Sequence, residues 1–334
     1  MSASDGFALH PLDNGRVDSP PVRAVTIQDG RLVLEERDDP VPGKGELLVR
    51  VRAAGLNGAD MLQRRGGYPA PPGVPADIPG LELAGEVQAL GPGVSRFQAG
   101  DRVMALVGGG AQAGLAVVHE LEAMRVPEPL DWPAAGGLPE VFVTAHDAIF
   151  SQAGLRTGEH LLIHGSAGGV GTAAVQLGRI TGARVTATVR REELRPKVEE
   201  LGARAIDPEG FEDEGPFDVV LELVGASNLA RNLGSLAMGG RIAVIGVGGT
   251  GPVAEINLLA VMQKRARIHG STLRSRPLED KAIAMRLVEK EVLPHFDSGA
   301  LTVPVAETYE IDRVEDAYER FTAGGKLGKI VLLA

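Results

Sequence analysis

Residues 46–57 read ELLVRVRAAGLN, where apolar Val49, Val51 and Ala53 alternate with Arg50 and Arg52. Period-two alternation of this kind predicts a strand with one wet face. Residues 81–94 (LELAGEVQALGPGV) and 97–106 (FQAGDRVMAL) predict two more short strands, separated by Gly-Pro-Gly and Ala-Gly-Asp turns. Strands so punctuated, from Val22 to about Phe150, predict a small antiparallel barrel. From about Leu130 the rhythm changes. HLLIH, RVTATV, FDVVLEL, RIAVIG and ARIHGS are strand candidates, and helical segments such as VGTAAVQLGRITG and EELRPKVEELGA lie between them. In the first helix Val170, Ala173, Ala174 and Leu177 fall at i, i+3, i+4 and i+7, one helical face. Alternation of strand and helix over ~25 residues predicts βαβ units and a parallel sheet. The last 50 or so residues return to helices (AIAMRLVEKEVL, RVEDAYERFTA) and short strands ending in GKIVLLA. The two chain ends are therefore expected to form one domain, with an α/β unit inserted between them.

Composition narrows the class without changing that outline. At roughly 150 residues per domain, 334 residues suggest two domains. The 34 basic residues stand against 44 acidic ones, a net charge of −10 that argues against nucleic acid or an anionic membrane as the main partner. Zero cysteines remove disulfides, thiolate nucleophiles and Cys-based zinc sites together. No apolar stretch reaches the ~20 residues of a membrane span, and no signal peptide is read, so a cytoplasmic location is expected. Residues 1–21, polar and without periodicity, read as a disordered tail.

The sharpest signal is LLIHGSAGGVGTAAVQLG, a strand that runs through Gly165, Ser166, Ala167, Gly168, Gly169, Val170 and Gly171 straight into a helix. Glycines allow close approach to a pyrophosphate, and the helix N-terminus offers free N–H groups and partial positive charge. Ser166 stands where the strict G-x-G-x-x-G pattern has a glycine. At the end of the next strand, Arg190 and Arg191 replace the acidic residue that would hold a ribose 2′-hydroxyl. Two guanidinium groups suit a 2′-phosphate, favouring NADPH over NADH; otherwise they are solvated partners of Glu192 and Glu193.

From Val22 to its end the chain resembles the medium-chain dehydrogenase/reductases, and among them the zinc-free quinone oxidoreductases. The motifs are AAGLNGADMLQRRGGYP, PGLELAGEV, GDRVMAL, LPEVFVTAHDAI, HGSAGGVGTAAVQL and GKIVLL. GGGAQAG, LPEVFVTAHD, STLRSRP and LPHF look closest to the tumour-suppressor-inducible branch. The resemblance implies a GroES-like catalytic domain (22–146 with 284–334), a Rossmann domain (147–283), and a cleft between them. It also implies a homodimer joined through the edge strand near 266–271. The zinc-bearing relatives hold their metal with a Cys and the His of Gly-His-Glu, whereas this chain has Asn57 and Gly80-Leu81-Glu82 there, so no zinc is expected.

The expected chemistry is then direct hydride transfer to a quinone, ortho-quinones above all, with hydrogen-bond donors stabilising the developing oxyanion. Reduction of an activated C=C bond, or a non-catalytic NADPH-binding role, remain the alternatives. By the resemblance, Asn57, Asp60 and Tyr68 are the catalytic candidates. Asn57 would donate to the acceptor, while Asp60 alternatively serves a helix N-terminus and Tyr68 alternatively packs in its loop. Thr144, Gly246, Val247, Gly248, Ser271, Thr272 and Leu273 join the glycine loop and the arginines as candidate cofactor contacts. His164, at the end of a buried strand, reads as structural.

Overall fold

The computed structural model describes residues 22–334; the expected tail, residues 1–21, lies outside the described residues. Two sheets carry the molecule. The first has seven strands, in the order Val305–Glu310, Lys329–Leu333, Glu46–Gly55, Glu82–Leu90, Arg102–Leu106 and Ala123–Arg125, with Leu115–His119 paired to Glu46–Gly55. It draws on both chain ends, as the pattern predicts, and is antiparallel except for the parallel pair Val305–Glu310 and Lys329–Leu333. Alternation works as expected in Glu46–Gly55: Val49, Val51 and Ala53 are buried, while Arg50 and Arg52 are exposed. A separate hairpin, Val22–Gln28 with Arg31–Arg37, packs Val25 and Leu32 against Tyr318 and Ile330.

The second sheet has six parallel strands, ordered Arg204–Ile206, Arg184–Thr188, His160–Ile163, Phe217–Glu222, Leu236–Val244 and Arg267–Gly270. This is the doubly wound order of dinucleotide-binding domains, whose direction reverses between His160–Ile163 and Phe217–Glu222. Each of those two central strands is buried along most of its length, as parallel strands covered on both faces must be. Helix Gly169–Thr181 covers one face, and its residues Ala173, Ala174 and Leu177 are buried as the 3.6-residue period requires. Its C-terminus closes on Gly182 in the left-handed region (φ 79°). The segment EELRPKVEELGA forms an α-helix only over Arg195–Glu200, after a 3-10 turn at Glu192–Leu194, because Pro196 fits the first turn of an α-helix and not its interior. Among the described residues no helix is long and apolar enough to cross a membrane.

Candidate functional site

The glycine loop leaves His160–Ile163 at the point where the strand order reverses. Ser166 keeps the tight turn despite its side chain, because its hydroxyl folds back to donate to the Ile163 carbonyl (2.7 Å) and is fully buried. A Cβ at Gly171 would lie 2.5 Å from the Ser166 Cα, so the helix enters against the loop at glycine distance only. Helix Gly169–Thr181 begins at Gly168 with no side-chain cap and no acidic residue in its first turn. Its first N–H groups and positive dipole end are thus left for an external anion, and a dinucleotide pyrophosphate fits that donor set. Arg190 and Arg191 are exposed beyond the next strand, and Arg191 lies 3.4 Å from Glu193, so the sequence-level ion pair also forms. The Arg191 guanidinium sits against Gly325 of the C-terminal segment.

That segment ties the loop to the other domain. Gly328 donates to the Ala167 carbonyl (2.8 Å), and the Lys329 side chain passes beside Gly169 to the far side of the cleft. There Lys329 Nζ donates to the Leu56 carbonyl (2.7 Å) and to Asn57 Oδ1 (2.7 Å), and pairs with Glu82 Oε1 (2.6 Å). Asn57 Nδ2 donates to Glu82 Oε1 (2.9 Å) and to the Gly55 carbonyl (3.2 Å). Glu82 Oε2 accepts the backbone N–H of Glu140 (2.9 Å) at the start of helix Pro139–His146. A Cβ at Gly55 would sit 2.4 Å from the Glu82 carboxylate, so only glycine leaves it room. The result is a buried polar cluster in which the Lys329 ammonium and the Glu82 carboxylate are paired.

The catalytic candidates fare differently within it. Asn57 is central, and its amide Nδ2 donates to both Glu82 and the Gly55 carbonyl. Asp60, fully buried, accepts from the backbone N–H of Asn57 (2.7 Å) and of Gly80 (3.1 Å). It serves the helix N-terminus of Gly58–Arg64, and burial raises its carboxyl to about 6. Tyr68 is partly buried beneath the Arg274 guanidinium (4.8 Å to the ring centroid), and burial raises its phenol above the usual value. Thr144 is buried on helix Pro139–His146, and its hydroxyl makes no hydrogen bond to a described residue.

Gly246 packs on Leu223 at the end of the neighbouring strand, whereas Val247 and Gly248 continue into a loop where a Cβ at Gly248 would meet open space. Ser271 donates its hydroxyl to Asp147 (2.8 Å), which Arg276 also holds, and this pulls Asp147 below the usual carboxylate range. Thr272 is exposed beside it, while Leu273 is buried. His164 is buried between Thr188 (3.1 Å) and Asn232 (2.7 Å), a structural histidine as read.

Lys329, Glu140 and Arg274 escape the sequence reading, and Glu82 enters it only beside the position of the missing zinc ligand. Glu82, Lys329 and Glu140 meet from three separate elements. Arg274 crosses from the α/β side to donate to the carbonyls of Gly108 (2.7 Å) and Tyr68 (2.9 Å) and to Gln63 (2.6 Å). Behind Gly108, a cavity of about 190 Å³ is lined by Val74, Pro75, Ile78 and Val107 together with polar Arg37, Glu46 and His119. Among the described residues no group of three or more His, Cys, Asp or Glu is placed to hold a metal. Lys329 supplies the cation between Asn57 and Glu82.

Known proteins share this architecture. The alcohol dehydrogenase GroES-like domain matches residues 43–150, and the zinc-binding dehydrogenase family matches 169–290. A human quinone oxidoreductase is 31% identical, over 93% of this chain and 98% of that protein. An alcohol dehydrogenase superfamily protein from Novosphingobium aromaticivorans superposes with a TM-score of 0.83 at 30% identity, covering 94% of this chain and 99% of its own. A mycobacterial protein solved in complex with NADPH superposes at 0.82 and 27% identity, covering 94% and 100%. With its two-domain fold, its glycine loop and relatives aligned over nearly its full length, the chain belongs to the medium-chain dehydrogenase/reductase superfamily of oxidoreductases, among relatives of the quinone oxidoreductases.

Proposed function

We propose that the protein is an NADPH-dependent, zinc-independent reductase of quinones, with ortho-quinones the favoured class. One observation carries the reading: the uncapped N-terminus of Gly169–Thr181 is bonded through Gly328 to the strand whose Lys329 organises Asn57 and Glu82. A dinucleotide whose pyrophosphate lies on that N-terminus extends along the cleft toward this cluster. When bound, the nicotinamide supplies a hydride to the acceptor. The protein's share is to hold the two reactants in register and exclude water, which is worth several kcal/mol by effective molarity. Arg190 and Arg191 provide the 2′-phosphate contacts, and Thr144, Gly246–Gly248 and Ser271–Leu273 border the nicotinamide end. The domain division 22–146 with 284–334 against 147–283 belongs to the same reading.

A homodimer through Arg267–Gly270 is part of the proposal. That strand is the edge of its sheet, and Met238, Leu258, Leu259 and Met262 lie exposed on the elements next to it in the chain or sheet. Fluorescence titration with NADPH and NADH tests the cofactor assignment. The expected result is clearly tighter binding of NADPH, with the preference lost in an Arg190→Ser/Arg191→Ser variant. Equal affinities in the wild type would remove the 2′-phosphate argument.

A further inference from the structure

The buried cluster leaves one acid without a structural task. Glu82 is saturated by Lys329, Asn57 and the Glu140 N–H, and Asp60 by two backbone N–H groups. The Glu140 carboxyl makes no hydrogen bond to a described residue, and the residue is partly open to solvent where Glu82 and Asp60 are sealed. Glu140 and Thr144 are one turn apart on helix Pro139–His146 and share a face. Four charged groups act on Glu140: Asp60 from helix Gly58–Arg64, Glu82 and Lys329 from the first sheet, and Arg274 from the α/β side.

We propose that Glu140 is the proton donor of the reaction, delivering its carboxyl proton to the acceptor oxygen as that oxygen gains charge. This rests on the reductase reading above. Reduction of a quinone to a hydroquinone needs a proton besides the two electrons and one hydrogen that the reduced dinucleotide supplies. The Glu140 O–H bond breaks, an O–H bond of the hydroquinone forms, and the carboxylate takes up a proton from cleft water. The other polar groups are poorly suited. The Asn57 amide and Lys329 are committed to the cluster, and burial makes the Tyr68 phenol a weaker acid than usual. Burial, reinforced by the charge of Glu82 and only partly offset by Lys329, pushes Glu140 up to about 8. It therefore still carries its proton at neutral pH, where an efficient general acid titrates close to the working pH.

The test uses the full chain with Glu140→Gln and Glu140→Asp, read in three ways. Infrared spectroscopy should show a protonated-carboxyl C=O band in the wild type at neutral pH, lost on titration through about 8 and missing from Glu140→Gln. Steady-state quinone reduction should fall in the wild type above about 8. In Glu140→Gln, kcat should drop by about 100-fold with no descending limb, while NADPH affinity stays unchanged. Glu140→Asp, which keeps the acid on a shorter stem, should recover part of the rate and retain the limb. A missing infrared band, or a Glu140→Gln enzyme with wild-type kcat and pH profile, would overturn the proposal and leave the reductase reading standing. A wild type that binds NADPH and reduces no acceptor would instead bring down that reading, and this inference with it.

Discussion

Replacing Lys329 by Met tests how the site is held together. Met keeps the length of the side chain and removes the ammonium. In the native protein that ammonium sits between Glu82, Asn57 and the Leu56 carbonyl at 2.6–2.7 Å, and both charged partners are at most 3% exposed. Exposed pairs such as Arg52–Glu86 are worth little, at most about 1 kcal/mol, because water screens them. The buried pair differs: losing Lys329 leaves the Glu82 carboxylate with neutral donors only, deep in the protein. Breaking such a pair costs about 3–5 kcal/mol, roughly 4–7 °C in Tm for a protein of this size. Thermal denaturation of Lys329→Met, Glu82→Gln and the double variant reads that cost. The double variant should recover most of the loss, since it buries no uncompensated charge. A single-variant cost under about 1 kcal/mol, typical of surface pairs, or a double variant no more stable than Lys329→Met, would refute the argument.

Other perturbations read other parts of the account. Arg190→Ser with Arg191→Ser removes charge-assisted bonds worth about 2 kcal/mol, so NADPH affinity should fall roughly 30-fold while NADH affinity holds, by fluorescence titration. Gly171→Ala places a methyl 2.5 Å from the Ser166 Cα, and overpacking of about 1–3 kcal/mol should appear as a lower Tm together with weakened dinucleotide binding. Glu140→Gln should be more stable than wild type at high pH. The native carboxyl, raised from 4.5 to about 8, contributes stability that is lost as pH rises through that window. The Tm difference should be fully developed above 8 and absent below 4.5.

The parts of the fold legible in the sequence are those encoded by short-range pattern. Strand alternation at 46–55 and the i, i+3, i+4, i+7 face after Gly169 are local properties, as is a glycine loop contiguous with its strand and helix. The site is legible only in halves. Asn57 and Tyr68 stand out as residues, but their partners Lys329 and Arg274 are more than 200 residues away and become neighbours only through the fold. The letter at Asp60 does not distinguish a chemical carboxyl from one at a helix start; the fold adds its two backbone partners, Asn57 and Gly80. Glu140 carries no motif of its own chemistry, and its unusual acidity comes from surroundings contributed by four other segments. Arg274 lies in STLRSRP, quoted for its resemblance, yet nothing local says that it braces the opposite domain.

The most direct measurement of the central claim is NADPH oxidation followed by absorbance, with panels of ortho-quinones and enones, with NADH in place of NADPH, and with chelator present. Rapid turnover of quinones with NADPH is expected, with slower turnover of enones, weaker rates with NADH, and no effect of chelator. Tight NADPH binding with no quinone reduced would contradict it, and equal rates with NADH would remove Arg190 and Arg191 from the cofactor site.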